Sequence, residues 1–210
     1  MDLPLERPAN LAVFASGRGS NLDTILRTFP AASELASVKM VMSDVAKAGA
    51  LAKAEAHAVA TYHHPFPSRK RDSHGQGRVA FERAAQARLE QHHIDLICLA
   101  GFMRLFSPEF NRTWQGRMLN IHPSLLPEFP GLHPQRQALE AGVSESGCTV
   151  HFVDAGVDTG PMILQRRVPV LPNDTEEILA ARILEQEHLA YPEAIRKVLR
   201  GEVRYAEGVL

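Results

Sequence analysis

Short apolar runs alternate with stretches of helical periodicity along the first 120 residues of the chain. Each run has the length of a buried strand, and the run at 95–100 is uniformly apolar after its first residue. The stretches between them place apolar side chains three and four positions apart, as Leu22, Ile25, Leu26 and Phe29 do. The predicted strands are 11–15, 38–42, 59–62, 95–100 and 118–122, and the predicted helices are 22–29, 46–57 and 79–93. This alternation predicts an α/β fold with a Rossmann-like, doubly wound, mostly parallel sheet.

The pattern changes in the last third of the chain. Two apolar runs, 148–153 and 162–165, flank a glycine-containing loop at 154–161. They predict an antiparallel C-terminal hairpin added to the sheet. A long helix is predicted over 174–199, because acidic side chains fill its first turn and Gly201 follows its end.

The remaining irregular stretch, 65–77, is rich in proline, glycine and charge, which predicts a mobile surface loop rather than a linker. The chain has 210 residues and shows no internal repeat. We therefore expect residues 1–210 to form a single domain with a sizeable core.

Composition narrows the function classes. The formal net charge is −1, so the charge balance supports neither a nucleic-acid-binding nor a membrane-surface role. Cys98 and Cys148 lie in apolar runs without CxxC spacing, which is typical of buried free thiols in a reducing compartment. The N-terminal residues contain no signal-peptide core. We expect a cytoplasmic protein.

Asn120 and His122 are the strongest candidates for chemistry. They stand two positions apart at the end of a predicted strand, so their side chains project from the same face. An amide that can donate to an oxyanion, beside an imidazole that titrates near neutral pH, is suited to acyl transfer. Alternatively, Asn120 and His122 only anchor a local turn. Ligands in open α/β sheets bind at the carboxyl ends of strands, which favours the functional interpretation.

A glycine loop, Gly17-Arg18-Gly19-Ser20-Asn21, lies between the first strand and the first helix. The amides of a helix N-terminus bind phosphate well. Leu22 stands where a dinucleotide fingerprint has its third glycine, and the Gly-Lys-Ser/Thr of a Walker loop is absent. The loop therefore favours binding of a lone phosphate over NAD or ATP. The alternative interpretation, a plain glycine turn followed by a polar helix cap, stays open.

Four further residues stand out less sharply in the sequence. Asp158 is either a turn residue or a carboxylate that faces His122 and raises its pKa. His151 is expected to be a structural residue facing a sheet surface, Glu187 to be exposed on the last helix, and Arg78 to begin a helix. Since no HExxH motif is present, no metal is expected.

Several segments, taken together and in order, resemble the glycinamide ribonucleotide transformylases of the folate-dependent formyltransferase family. The segments are 14–22, 99–104, 119–133, 150–153, 158–161 and 185–192. Within that family, the methionyl-tRNA formyltransferases have a further C-terminal RNA-binding domain, and the formyltetrahydrofolate deformylases have an extra N-terminal domain. We expect the chain to hold neither domain, and 130–133 is similar to the transformylases.

The resemblance implies a role for each matching residue. The catalytic residues implied are Asn120, His122 and Asp158. The positions implied for glycinamide ribonucleotide are Gly19, Ser20, Asn21 and Glu187. The positions implied for the co-substrate 10-formyltetrahydrofolate are Arg78, Met103, Arg104, Leu105, Phe106, Asn120, Asp154, Ala155, Gly156, Val157 and Asp158.

The activity implied by the resemblance is transfer of the formyl group of 10-formyltetrahydrofolate to the amine of glycinamide ribonucleotide in de novo purine biosynthesis. Asn120 is expected to donate to the formyl oxygen, and His122, held protonated by Asp158, to donate as well and assist proton transfer. Two alternatives stay open, a phosphate-binding regulatory module without catalysis and a hydrolase of 10-formyltetrahydrofolate. The sequence also leaves open whether the protein forms a homodimer.

Overall fold

The computed structural model describes residues 5–66 and 75–206. Within these ranges, seven strands form one sheet. The strands are β1 (Ala9–Phe14), β2 (Ala36–Ser43), β3 (Ala60–His63), β4 (Leu96–Leu99), β5 (Met118–His122), β6 (Glu145–Phe152) and β7 (Met162–Pro169). Their order across the sheet is β3-β2-β1-β4-β5-β6-β7.

The first five strands are parallel, and β6 and β7 are added antiparallel at one edge. This confirms the predicted α/β class and its C-terminal hairpin. The strand order reverses between β1 and β4, so the loops that follow these two strands open a crevice at the carboxyl edge of the sheet. The same edge receives the end of β5, and the topology therefore places the glycine loop and Asn120 on one side of the molecule.

Six helices cover the sheet in the described part of the chain. They are α1 (Ser20–Thr28), α2 (Gly49–Ala56), α3 (Gln76–Gln91), α4 (Pro108–Thr113), α5 (Pro134–Ala141) and α6 (Glu176–Leu199). Alternate residues of β1 face two separate apolar clusters: Leu11 and Val13 pack with α1, α2, α5 and α6, whereas Ala12 and Phe14 pack with α3 and α4. Both faces of the sheet are covered, which explains why β4 is buried at every position.

Element boundaries follow local signals that periodicity alone does not reveal. Helix α6 begins two residues later than predicted, because Thr175 caps it by accepting a hydrogen bond from the Ile178 amide. Helix α3 begins at Gln76, inside the loop predicted at 65–77. Of that loop, residues 67–74 lie outside the described ranges.

Helices α4 and α5 were not predicted. They have six and eight residues, too few for an apolar period to stand out. Each begins with proline in its first turn, and Ser107 caps α4 through the Phe110 amide, so the start signals were present in the sequence.

The two thiols behave as predicted in the fold. Cys98 and Cys148 are both buried and free. Burial raises the pKa of the Cys148 thiol to about 12 and that of Cys98 further still, so neither side chain is a nucleophile at neutral pH. No helix in the described ranges is long and apolar enough to cross a membrane.

Candidate active site

The strand that carries Asn120 and His122 has the predicted bounds, Met118–His122. Ile121 between them packs into the apolar cluster beneath the sheet, so the two polar side chains leave from the opposite face. Asn120 is half-buried, and His122 is 5% exposed. The structure therefore confirms that one strand presents an amide and an imidazole side by side.

Asp158 lies in the loop between β6 and β7, and its side chain contacts His122. Its Oδ2 lies 3.3 Å from Nδ1 of His122 and accepts a 2.8 Å hydrogen bond from the amide of Gly131. Its backbone has φ 55°, a left-handed conformation that aspartate tolerates better than most residues. Burial tends to raise the pKa of Asp158, but His151, His122 and the Gly131 amide outweigh it and hold that pKa below its usual value.

The pKa of His122 is shifted in the direction opposite to the sequence-based expectation. Burial lowers the pKa of the imidazole, and neither the Phe129 carbonyl 2.9 Å from Nε2 nor the Asp158 carboxylate restores it to its usual value. Burial of the ring therefore opposes the expected stabilisation of a protonated His122 by Asp158. Nε2 faces the Phe129 carbonyl and Nδ1 faces the Asp158 carboxylate, so both ring nitrogens lie against acceptors and a proton on either one is hydrogen-bonded.

This protonation state is testable by titration. We expect an NMR pH titration of the His122 ring to show a midpoint below 6.5, and Asp158→Asn to move it lower because the carboxylate stabilises the imidazolium. A midpoint above 6.5 contradicts the assignment. Since the folded pKa lies below that of the unfolded chain, the free energy of unfolding contributed by this group falls as the pH drops below 6.5.

His151 lies beside Asn120 and Asp158, and not at a sheet surface as its sequence context predicts. It is 3% exposed, and its Nδ1 donates to the carbonyl of Phe152 at 2.8 Å. Its Nε2 therefore accepts from Nδ2 of Asn120 at 3.2 Å and lies 3.6 Å from Asp158 Oδ1. The pairing of Asn120 with His151 across β5 and β6 brings them together, which the sequence does not reveal.

The Asn120 amide points both of its hydrogens at acceptors in the free protein. The second contact, to Oδ1 of Asp158, is 3.4 Å long and weak by its length. A ligand oxygen can take this hydrogen at little cost. His151 holds the amide in the orientation that makes the hydrogen available.

The glycine loop has the geometry of an anion cradle. Gly19 precedes α1 with φ 72°, and a Cβ at that position would lie 2.7 Å from the Cα of Ala50. Only glycine fits there, which brings the backbone close to α2 and leaves the first amides of α1 open to a ligand.

Asn21 and Glu187 form a buried pair beside this cradle. The Asn21 amide donates to Oε2 of Glu187 at 2.7 Å. Glu187 is 7% exposed, so the expectation of a solvent-exposed side chain is wrong. Burial raises the pKa of Glu187, while Asn21 partly opposes the shift. The Oδ1 of Asn21 is buried without a hydrogen-bond partner among the described residues, which leaves an acceptor for a ligand.

A cleft opens beside Asn120. Nine of the eleven residues expected to hold the co-substrate line it: Arg104, Leu105, Phe106, Asn120, Asp154, Ala155, Gly156, Val157 and Asp158. The other two residues do not line the cleft. Met103 precedes Arg104 in the chain and has 67% of its surface exposed. Arg78 lies in the first turn of α3. The structure adds Leu99, Phe102, Asn111, His151 and Val153.

The cleft combines apolar walls with a polar end. Phe102 and Phe106 stack with their ring centroids 5.5 Å apart, while Asn120, His151 and Asp158 supply the polar groups. Such a lining suits a flat heteroaromatic ligand whose reactive group meets the polar end. Within the described ranges, no group of three or more His, Cys, Asp or Glu side chains is arranged to hold a metal ion.

Comparison with known proteins places this geometry in context. The family model described as formyl transferase matches residues 9–195. Phosphoribosylglycinamide formyltransferase of Escherichia coli is 41% identical over 198 residues, covering 94% of this chain and 91% of that protein. The trifunctional purine biosynthetic protein adenosine-3 of Drosophila pseudoobscura is 45% identical over 199 residues, covering 92% of this chain. The chain spans only 14% of the length of that protein.

Solved structures agree with the sequence comparison. The structure of glycinamide ribonucleotide transformylase 1 from Symbiobacterium toebii superposes with a TM-score of 0.83 at 46% identity, covering 94% of this chain and 90% of that one. Phosphoribosylglycinamide formyltransferase from Anaplasma phagocytophilum has a TM-score of 0.85 at 35% identity, covering 96% and 92%.

Proposed function

Because the chain belongs to the formyl transferase family, we propose that it transfers the formyl group of 10-formyltetrahydrofolate to the amine of glycinamide ribonucleotide. The observation that carries the proposal is the contact of Asn120 and His122 with Asp158 at the polar end of an aromatic cleft. The names of similar proteins support the choice of acceptor, since several of them are phosphoribosylglycinamide formyltransferases.

The reaction exchanges one carbon–nitrogen bond for another. The glycinamide amine attacks the formyl carbon, and negative charge develops on the formyl oxygen. The bond from that carbon to N10 of the folate then breaks. The amine loses one proton and N10 gains one, so the products are formylglycinamide ribonucleotide and tetrahydrofolate. The site has to stabilise an oxyanion and move one proton.

Asn120 is placed to stabilise the oxyanion. It lines the cleft, and its hydrogen toward Asp158 is held only by a 3.4 Å contact. The formyl oxygen competes for this hydrogen as its charge grows. His151 retains the other amide hydrogen at 3.2 Å and so keeps the side chain from rotating away.

His122 and Asp158 are placed to receive the amine proton. The neutral imidazole offers Nδ1 as a base, and Asp158 Oδ2 lies 3.3 Å from that nitrogen. A proton on Nδ1 therefore creates an ion pair with Asp158, while Nε2 keeps its hydrogen bond to the Phe129 carbonyl. The pair then returns a proton to N10, and the imidazole is neutral again.

The two substrates occupy different parts of the site. Gly19, Ser20 and Asn21 surround the ribonucleotide phosphate at the start of α1, and Glu187 meets the same substrate beside Asn21. The pteridine ring of the co-substrate lies against Phe106 in the cleft. Arg78 holds its more distant portion, as the resemblance implies.

Changes in the glycine loop should act on ribonucleotide binding. We expect Ser20→Ala and Asn21→Ala to raise the KM for glycinamide ribonucleotide about tenfold or more, since hydrogen bonds to charged groups contribute roughly 1.5–3 kcal/mol. Steady-state kinetics with each substrate varied in turn measure the effect, and the KM for 10-formyltetrahydrofolate serves as the internal control. An effect confined to the folate KM contradicts the assignment of this loop.

The activity can be tested through its product. Purified protein incubated with both substrates should yield a ribonucleotide that has gained one formyl group, as read by mass spectrometry. Recovery of unmodified ribonucleotide under saturating conditions contradicts the proposal.

We also propose that residues 1–210 act as a single formyltransferase domain in the cytoplasm, with small molecules as substrates and without a metal. The strands from Ala9 to Pro169 share one sheet, and both cysteines are free, as expected in a reducing compartment. We further propose that the protein forms a homodimer, which analytical ultracentrifugation tests directly.

A further inference from the structure

One wall of the cleft has no regular secondary structure. The wall segment, residues 103–106, lies between the end of β4 and the start of α4. Leu105 and Phe106 line the cleft, and Leu105 is 59% exposed. An irregular backbone keeps one shape only where fixed partners hold its polar groups.

A buried carboxylate holds the first half of the wall segment. Asp44 follows β2, and its side chain is 1% exposed. Its Oδ2 accepts a 2.6 Å hydrogen bond from Nε of Arg104, and its Oδ1 accepts one of 2.6 Å from the hydroxyl of Ser16. Because the Ser16 hydroxyl donates its hydrogen to Asp44, its oxygen is free to accept a 3.3 Å hydrogen bond from the Met103 amide. One carboxylate thus fixes two consecutive residues of the wall.

A second buried carboxylate holds the other end. Glu82 on α3 is 8% exposed, and it accepts hydrogen bonds from both the amide and the hydroxyl of Ser107, the latter at 2.7 Å. The same hydroxyl accepts from the Phe110 amide and caps α4. The wall segment is therefore held between two carboxylates that come from different elements.

We propose that Asp44 and Glu82 are positioning residues that set the shape of the folate cleft without touching the folate. The inference rests on the proposed function, because it assigns the cleft to 10-formyltetrahydrofolate. Neither residue is among those that line the cleft. Burying a charge is costly unless it is paired and hydrogen-bonded, and here both oxygens of each carboxylate are engaged by the wall or its neighbours.

Amide variants test the proposal. Asp44→Asn places an NH₂ group against either Arg104 or Ser16, and Glu82→Gln places one against Ser107, so each removes one acceptor while keeping the side-chain size. We expect the Kd for tetrahydrofolate and the KM for 10-formyltetrahydrofolate to rise about tenfold in each variant, as for any loss of roughly 1.4 kcal/mol of binding. We expect kcat to change much less than KM, because Asn120, His122 and Asp158 stay in place.

Asp95→Asn is the matched control. Asp95 is 9% exposed, accepts two 2.8 Å hydrogen bonds from Arg7, and lies at the amino end of β4, at the opposite edge of the sheet from the cleft. This variant also breaks an arginine–carboxylate pair, but the folate Kd should stay at the wild-type value. Ser16→Ala, which removes the link to Met103 and keeps the pair of Asp44 with Arg104, should give a smaller rise and provides the test if Asp44→Asn does not fold.

The outcomes separate this inference from the function it rests on. Wild-type turnover with an unchanged tetrahydrofolate Kd in Asp44→Asn, Glu82→Gln and Ser16→Ala overturns the inference alone. An equal rise in the Asp95→Asn control also overturns it, because the effect is then general destabilisation. Wild-type protein that binds no tetrahydrofolate and forms no formylated ribonucleotide overturns the proposed function.

Discussion

His122→Ala is expected to lower kcat by about 10²–10⁴, the usual contribution of a positioned acid–base group. The variant removes the imidazole that faces Asp158 at 3.3 Å and with it the proposed acceptor of the amine proton. Both KM values should change little, because the phosphate loop and the aromatic cleft are untouched. Steady-state kinetics measure the loss, and circular dichroism checks that the variant is folded.

His57→Ala is the control for the His122 variant, since His57 is an exposed side chain at the end of α2. It should keep wild-type kcat. A His122→Ala enzyme with near-wild-type kcat removes the imidazole from the mechanism and leaves proton transfer to Asp158 or water.

Asn120→Ala is expected to lower kcat by about 10²–10³, the usual cost of one oxyanion donor. The Asn120 amide is a hydrogen-bond donor that lines the cleft and is held by its 3.2 Å contact with His151. Asn120→Asp keeps the shape but replaces the donor with an acceptor beside Asp158, so its loss should be at least as large.

Asn10→Ala is the matched control for the amide. The Asn10 side chain donates to the carbonyls of His92 and His93 at the other end of the sheet, so its loss costs stability without touching the site. Comparable kcat in Asn10→Ala and Asn120→Ala would show that Asn120 matters only for folding.

The pattern of apolar runs predicted most of the fold. The apolar run that ends in Asn120-Ile121-His122 predicted β5 to the residue, because a strand buried on both sides has a sharp compositional edge. The glycine loop predicted a helix N-terminus that the structure has at Ser20. Helices α4 and α5 were not predicted, because short helices depend on capping and tertiary contacts more than on periodicity.

The structure brings several of the predicted site residues together, but their electrostatics could not be predicted from the sequence. The sequence suggested a contact between Asp158 and His122, and from charge alone it followed that the imidazole is protonated. The burial of His122 lowers the pKa of the imidazole and so opposes that conclusion, and burial depends on packing between distant segments. Glu187 was expected to be exposed because its partner, Asn21, lies 166 positions away in the chain.

His151 shows the limit most clearly. A single histidine in a strand carries no local sign of function, and its role comes from the antiparallel register that sets it opposite Asn120. The aromatic wall of Phe102 and Phe106 likewise becomes a cleft only when the 154–158 loop covers it. The contact of His151 with Asn120 and the cleft both depend on contacts between distant segments. The periodic pattern within one segment does not encode such contacts.

The most direct test of the proposed activity is the release of tetrahydrofolate from 10-formyltetrahydrofolate, measured with and without glycinamide ribonucleotide. The site holds a base and an oxyanion donor for an incoming amine, so we expect rapid release that requires the ribonucleotide and yields one formylated product per folate consumed. Release at the same rate without the amine would indicate a hydrolase. Ribonucleotide binding with no release under any condition would indicate a binding module, and either result contradicts formyl transfer.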